Sequence, residues 1–175
     1  MASAAPTTAR PPRRVLGIDP GSVKTGFGVI EVSGATAGYI TSGVIQAGTG
    51  PFAGRLHTIF TGIGEVIAGH AITEAAIEEV FINRNPQSAL KLGQGRGAAM
   101  CACASAGLPV HEYTPRSVKQ ALVGRGGAEK DQVGYMVRAI LGLKGALKED
   151  AADALAVALT HAQQDRFNAR VAGQR

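Results

Sequence analysis

Val15-Leu16-Gly17-Ile18-Asp19-Pro20-Gly21 is a short apolar run that ends in a carboxylate and is stopped by a turn dipeptide. Such a run reads as a buried β-strand followed by a turn. Working outward, Thr25 to Val32 and Gly38 to Gln46 read as the next two strands, and the short gaps between them favour antiparallel hairpins. Arg55 to Ala68 carries Leu56, Ile59, Phe60, Ile63 and Ile67 at helical spacing, which predicts an amphipathic helix. Ala75 to Val80 is a fourth strand bearing Glu78 and Glu79, and Pro86 to Ala106 an Ala-rich helix ended by Gly107. Val110 to Tyr113 is a fifth strand. Thr114-Pro115 then opens a helix in the N-cap and N1 arrangement, and further helices are expected from about Glu129 to Leu141 and Glu149 to Arg170. Three strands followed by alternating helix and strand define an α/β fold, a five-stranded mixed sheet covered by helices.

The acids fall at telling places in this pattern. Asp19 closes the first strand and Glu78 sits in the fourth, among core formers such as Leu16, Ile18 and Ile77. Asp150 and Asp153, three apart, share one face at the start of the last helix. Its small residues Ala151, Ala152, Ala154, Ala156 and Ala158 let that helix pack close to a sheet. Carboxylates at strand positions are costly unless something neutralises them. Mg2+ prefers oxygen ligands, and four convergent carboxylates can hold two such ions about 3.5–4 Å apart, with Mn2+ as a substitute. One ion would activate water and the other would stabilise the departing oxygen of a phosphodiester. Blander readings exist: Asp19 as a turn former, Asp150 as a favourable charge at a helix N-terminus, Asp153 as solvated surface. Taken together they leave the strand acids unexplained. No Cys or His cluster offers a zinc alternative.

Composition sets the frame. The 175 residues suit one domain. The net charge of +5 comes from the ends: residues 1–14 hold three Arg and no acid, and residues 162–175 three Arg against Asp165. The first fourteen residues read as a disordered basic tail, 15–161 as the domain, and 162–175 as the end of the last helix and a tail. Inside the neutral body the signs separate: residues 15–83 sum to −4 and residues 84–138 to +5. A basic middle beside acidic segments suits a protein that binds a polyanion and also holds cations. Cys101 and Cys103 are two apart on a helix, a poor geometry for a disulfide, and read as small buried residues. No apolar run approaches the ~20 residues of a membrane span, and the start lacks a signal-peptide core. A soluble, cytoplasmic protein is expected.

Several blocks resemble the bacterial RuvC Holliday-junction resolvases. They are Gly17-Ile18-Asp19-Pro20-Gly21 with Thr25-Gly26-Phe27-Gly28, Ala76-Ile77-Glu78-Glu79-Val80-Phe81, and Ser88-Ala89-Leu90-Lys91-Leu92-Gly93-Gln94 with Arg96-Gly97. Val118-Lys119-Gln120, Ala128-Glu129-Lys130 and Asp150-Ala151-Ala152-Asp153-Ala154-Leu155-Ala156 follow in matching order. The resemblance implies a ribonuclease-H-like fold, a homodimer, and paired nicks in opposed strands of a four-way DNA junction during recombination and repair. It also implies association with a branch-migration motor. By position, Asp19, Glu78, Asp150 and Asp153 match the family's metal-binding catalytic acids. Phe81 matches an aromatic that contacts unpaired bases, a stacking worth about 1–3 kcal/mol, and Lys119 and Lys130 match basic residues near the scissile phosphate.

Weaker signals lie around these. Arg84, just after Phe81, is a candidate phosphate contact, as is Arg125 in its Gly-rich loop. Lys91 is a further candidate, but with Arg96 five residues on, about 140° around the helix, both cannot face DNA squarely. His161 stands eight residues after Asp153, about 12 Å along the axis, too far to share a metal with it. His57, His70 and His111 have no partner in sequence. Rival classes are another ribonuclease-H-like nuclease, which cleavage of hybrid and linear duplex would distinguish, and an actin-like phosphotransfer fold. The latter needs a second domain that this chain is too short to hold. A noncatalytic junction-binding module sits poorly with acids at all four places.

Overall fold

Alternation along the first strand sets the two layers of the molecule. Among Val15, Leu16 and Ile18, all fully buried, Val15 joins one hydrophobic cluster and Leu16 and Ile18 join another on the opposite face. The structure, a computed structural model, describes residues 12–81 and 85–172. Among these the elements run β1 (Arg13–Asp19), β2 (Lys24–Ser33), β3 (Thr36–Gln46), α1 (Phe52–His70), β4 (Glu74–Glu78), α2 (Pro86–Ser105), β5 (Val110–Tyr113), α3 (Pro115–Val123), α4 (Lys130–Leu141) and α5 (Glu149–Ala172).

The sheet order is β3-β2-β1-β4-β5. β1 and β2 pair antiparallel, with Gly17 opposite Gly28 and Asp19 opposite Gly26, and β2 pairs antiparallel with β3. On its other side β1 runs parallel to β4, with Val15 beside Glu74 and Ile18 beside Ile77, and β4 runs parallel to β5. Helices α1 and α2 cover the face holding Leu16, Ile18, Val29 and Ile77, while α3, α4 and α5 cover the face holding Val15, Ile30 and Ala76. Each fully buried aliphatic side chain contributes roughly 1.5–3 kcal/mol.

Helix α5 lies deepest, buried continuously from Ala154 to Ala162. Gly17 is what admits it: a Cβ there would stand 2.0 Å from the Ala154 carbonyl oxygen and 2.8 Å from the Ala158 nitrogen. Thr114 caps α3 as the sequence predicts, accepting from the Ser117 amide, and Asn85 caps α2 in the same way, accepting from the Gln87 and Ser88 amides, each before a proline. Glu129 and Gln132 form a capping box on α4.

Four expectations shift. β1 begins at Arg13, so Arg13 and Arg14 belong to the sheet rather than to a tail; Arg13 pairs with Glu74 at 2.9 Å and with Asp165 at 2.8 Å. β4 ends at Glu78 instead of Val80, which puts Glu78 at the strand's mouth. α5 continues to Ala172, so residues 162–172 are helix. Cys103 is buried but Cys101 is exposed, and both are free thiols.

Candidate active site

Strand periodicity decides which acids can meet. On β1, Val15, Gly17 and Asp19 face α5; on β4, Glu74, Ala76 and Glu78 do. The two strands are parallel neighbours, so Asp19 and Glu78 end side by side at the same edge of the sheet. The first turn of α5 reaches that edge because Gly26, opposite Asp19, has no side chain: a Cβ there would lie 2.0 Å from the Asp150 carbonyl oxygen. A cleft of about 220 Å³ opens there, lined by Asp19, Glu78, Pro115, Val118, Lys119, Lys130 and Asp153.

The acids feel one another. Burial, followed by the charges of Glu78, Asp153 and Asp150, pushes the Asp19 carboxyl up to about 8. Burial and the charge of Asp153 push Glu78 up to about 7. Asp153 is raised as well, chiefly by burial. Lys130 works in the other direction, with its ammonium 2.7 Å from Glu149 and 3.4 Å from Asp153. Partly buried carboxylates that repel one another, offset among the described residues by Lys119 and Lys130, are a donor set made for hard cations. Asp19, Glu78 and Asp153 line the cleft, and Asp150 acts on Asp19 through its charge from the first turn of α5.

The other expected residues are distributed around this cleft. Lys119 on α3 and Lys130 at the start of α4 line it. Arg125 is exposed in the loop between those helices and donates to the Gln132 side-chain oxygen at 3.0 Å. Phe81 is 61% exposed, three residues past Glu78, and borders an apolar groove with Val80, Pro86, Ala89 and Leu90. Lys91 is exposed on α2, in the layer on the opposite face of the sheet from α5. Arg84 lies outside the described residues.

Two arrangements were not legible in the chain. Arg96 donates through Nε to the Glu78 carbonyl oxygen at 3.0 Å and pairs with Glu112. It therefore anchors the backbone that carries Glu78. Its side chain, which spacing showed only to be unable to face DNA squarely together with Lys91, is committed to the sheet. The expectation that no histidine cluster forms is overturned: Glu74, His111 and His161 bring ligand atoms within 4.8 Å of one another. They come from three elements far apart in sequence, so no local spacing could have announced them.

The sheet and the acid-lined cleft define a ribonuclease-H-like nuclease. A sequence model described as crossover junction endodeoxyribonuclease RuvC matches residues 15–161. The crossover junction endodeoxyribonuclease RuvC of Alkalilimnicola ehrlichii is 55% identical over 158 residues, covering 90% of this chain and 96% of that protein. The RuvC of Marinobacter nauticus is 52% identical over 158 residues, 90% of each chain. The structure of Thermus thermophilus RuvC in complex with Holliday junction substrate superposes with a TM-score of 0.84 at 41% identity, covering 89% of this chain and 96% of that one. The yeast mitochondrial Holliday junction resolvase shares the fold, with a TM-score of 0.67 at 12% identity over 93% of this chain and 83% of that one. The chain belongs to the RuvC family of crossover junction endodeoxyribonucleases.

Proposed function

We propose that this protein resolves four-way DNA junctions by paired, metal-dependent nicks in opposed strands during homologous recombination and repair, with Asp19, Glu78, Asp150 and Asp153 as the catalytic acids. The observation that carries this reading is the meeting of Asp19, Glu78 and the first turn of α5 at one edge of the sheet, with two lysines on the rim. Two Mg2+ ions per subunit, or Mn2+ in their place, would lower the pKa of an attacking water and stabilise the departing oxygen of an in-line displacement. The protein's own groups do the rest. The four carboxylates hold the ions, and Arg96 fixes the Glu78 backbone. Lys119 and Lys130 meet the scissile phosphate, while Phe81, exposed beside the mouth of β4, stacks on an unpaired base at the crossover. Arg125, Arg84 and Lys91 add phosphate contacts farther out.

Opposed nicks need two such sites, so the working form is a homodimer, acting with a branch-migration motor in the cytoplasm. Among the described residues no helix is long and apolar enough to cross a membrane.

The test compares cleavage of a four-way junction, an RNA–DNA hybrid and a linear duplex, with Mg2+ and with chelator, by the native protein and Asp19→Asn. The expected result is junction-selective nicking that chelator stops, and an Asp19→Asn protein that binds junctions but does not cut them. Equal cutting of all three substrates, or junction binding lost along with cleavage in Asp19→Asn, would reject the proposal.

A further inference from the structure

The strand that presents Glu78 to one end of α5 presents Glu74 to the other. The two carboxylates are four residues apart on the same face of β4, roughly 13 Å along the strand. Glu74 is buried and its Oε2 lies 2.8 Å from Nε2 of the buried His161. His111, on the neighbouring strand β5, stacks against His161 with ring centroids 4.3 Å apart. Glu74, His111 and His161 together offer two imidazole nitrogens and a carboxylate oxygen within 4.8 Å.

We propose that Glu74, His111 and His161 form a second metal site, separate from the acid cleft, that takes a borderline-soft divalent cation of the Zn2+ type. Two His and one Glu, with water in the fourth position, is an established zinc ligand set, and imidazole selects such ions over Mg2+. Donor atoms around a tetrahedral Zn2+ stand roughly 3.3 Å apart. Small rotations of the side chains would therefore close the site: Glu74 and His161 part slightly and His111 swings in from the solvent-accessible side.

The surroundings resemble the supporting contacts such sites carry. The Tyr113 hydroxyl lies 2.7 Å from His161 Nδ1, which orients the ring with Nε2 inward. Arg13 lies 2.9 Å from the other Glu74 oxygen, Oε1, and is itself paired with Asp165 at 2.8 Å. Arg13 thus divides its charge between Glu74 and Asp165. The site would tie β4, β5 and α5 together at the end of the sheet opposite the nuclease cleft.

The experiment titrates Zn2+ into the full chain in excess Mg2+, added to compete for the acid cleft, following stoichiometry calorimetrically and melting temperature in parallel. Co2+ serves as a visible-absorption probe of tetrahedral coordination. One Zn2+ per chain is expected, with a raised melting temperature. Binding should be lost in His111→Ala, whose side chain is the most exposed of the three, and in Glu74→Gln. Tyr113→Phe should weaken it by roughly 10–100-fold, and Asp19→Asn should leave it intact. Absence of Zn2+ binding by the native chain would overturn the proposal. So would binding that His111→Ala and Glu74→Gln leave unchanged, or binding that Asp19→Asn abolishes, which would place the ion in the nuclease cleft.

Discussion

Asp19 holds its proton up to about pH 8 and Glu78 to about 7, because burial and neighbouring negative charge disfavour their ionised forms. In the unfolded chain both would ionise near 4. Between those values the folded state binds more protons than the unfolded one, so stability falls as pH rises. The metal-free protein should therefore melt lower as pH climbs from about 5 to about 9, and Mg2+, competing with those protons, should restore more stability at the upper end. Melting curves with chelator and with Mg2+ across that range check both halves; flat curves would mean that the acids do not interact. Relieving the repulsion by Asp19→Asn should raise the metal-free melting temperature at pH 8 by about 5 °C.

At the scale of elements, α5 carries Asp150 and Asp153 to the strands, and its seat depends on glycines in β1 and β2. A Cβ on Gly17 would meet the α5 backbone at 2.0 Å, so Gly17→Ala has to push the helix away. A loss of about 1–3 kcal/mol is expected from such overpacking, together with loss of junction cleavage in a protein that still folds. Gly64, in α1 with open space around it, is the control. Gly64→Ala should stabilise by about 0.5–1 kcal/mol and leave cleavage unchanged. Urea denaturation and cleavage rates measured side by side separate the two, and unimpaired cleavage by a stable Gly17→Ala would detach the position of α5 from activity.

For the molecule as a whole, the net charge of the body hides a separation that the fold turns into geography. The basic stretch from residue 84 to 138 supplies Lys119 and Lys130, which line the acid cleft from α3 and α4. A polyanion can thus be drawn toward a pocket that is itself acidic. Lys119→Ala should weaken junction binding and lower the slope of log affinity against log salt by roughly one. Binding measured over a salt series decides it, and an unchanged slope would remove Lys119 from the DNA surface. Much of this architecture was legible beforehand. The strand pattern of Val15 to Asp19, the helical spacing of Leu56 to Ile67 and the cap at Thr114 are local patterns, written in residues close together in the chain. The ends were less legible: Arg13 and Arg14 look like tail until Glu74, Thr73 and Asp165 are seen to hold them.

Sequence alone determined the element types, the helix-covered mixed sheet, and the presence of carboxylates on two strands and at a helix start, because each follows from the chemistry of near neighbours. It did not determine which distant side chains would share a space. The tertiary structure decided that Arg96 grips the Glu78 backbone and that Glu74, His111 and His161 converge. It also decided that α5 settles close enough to put Asp150 beside the mouth of β1. These depend on sheet register and on how nearly a helix can approach, quantities set by packing across the whole core.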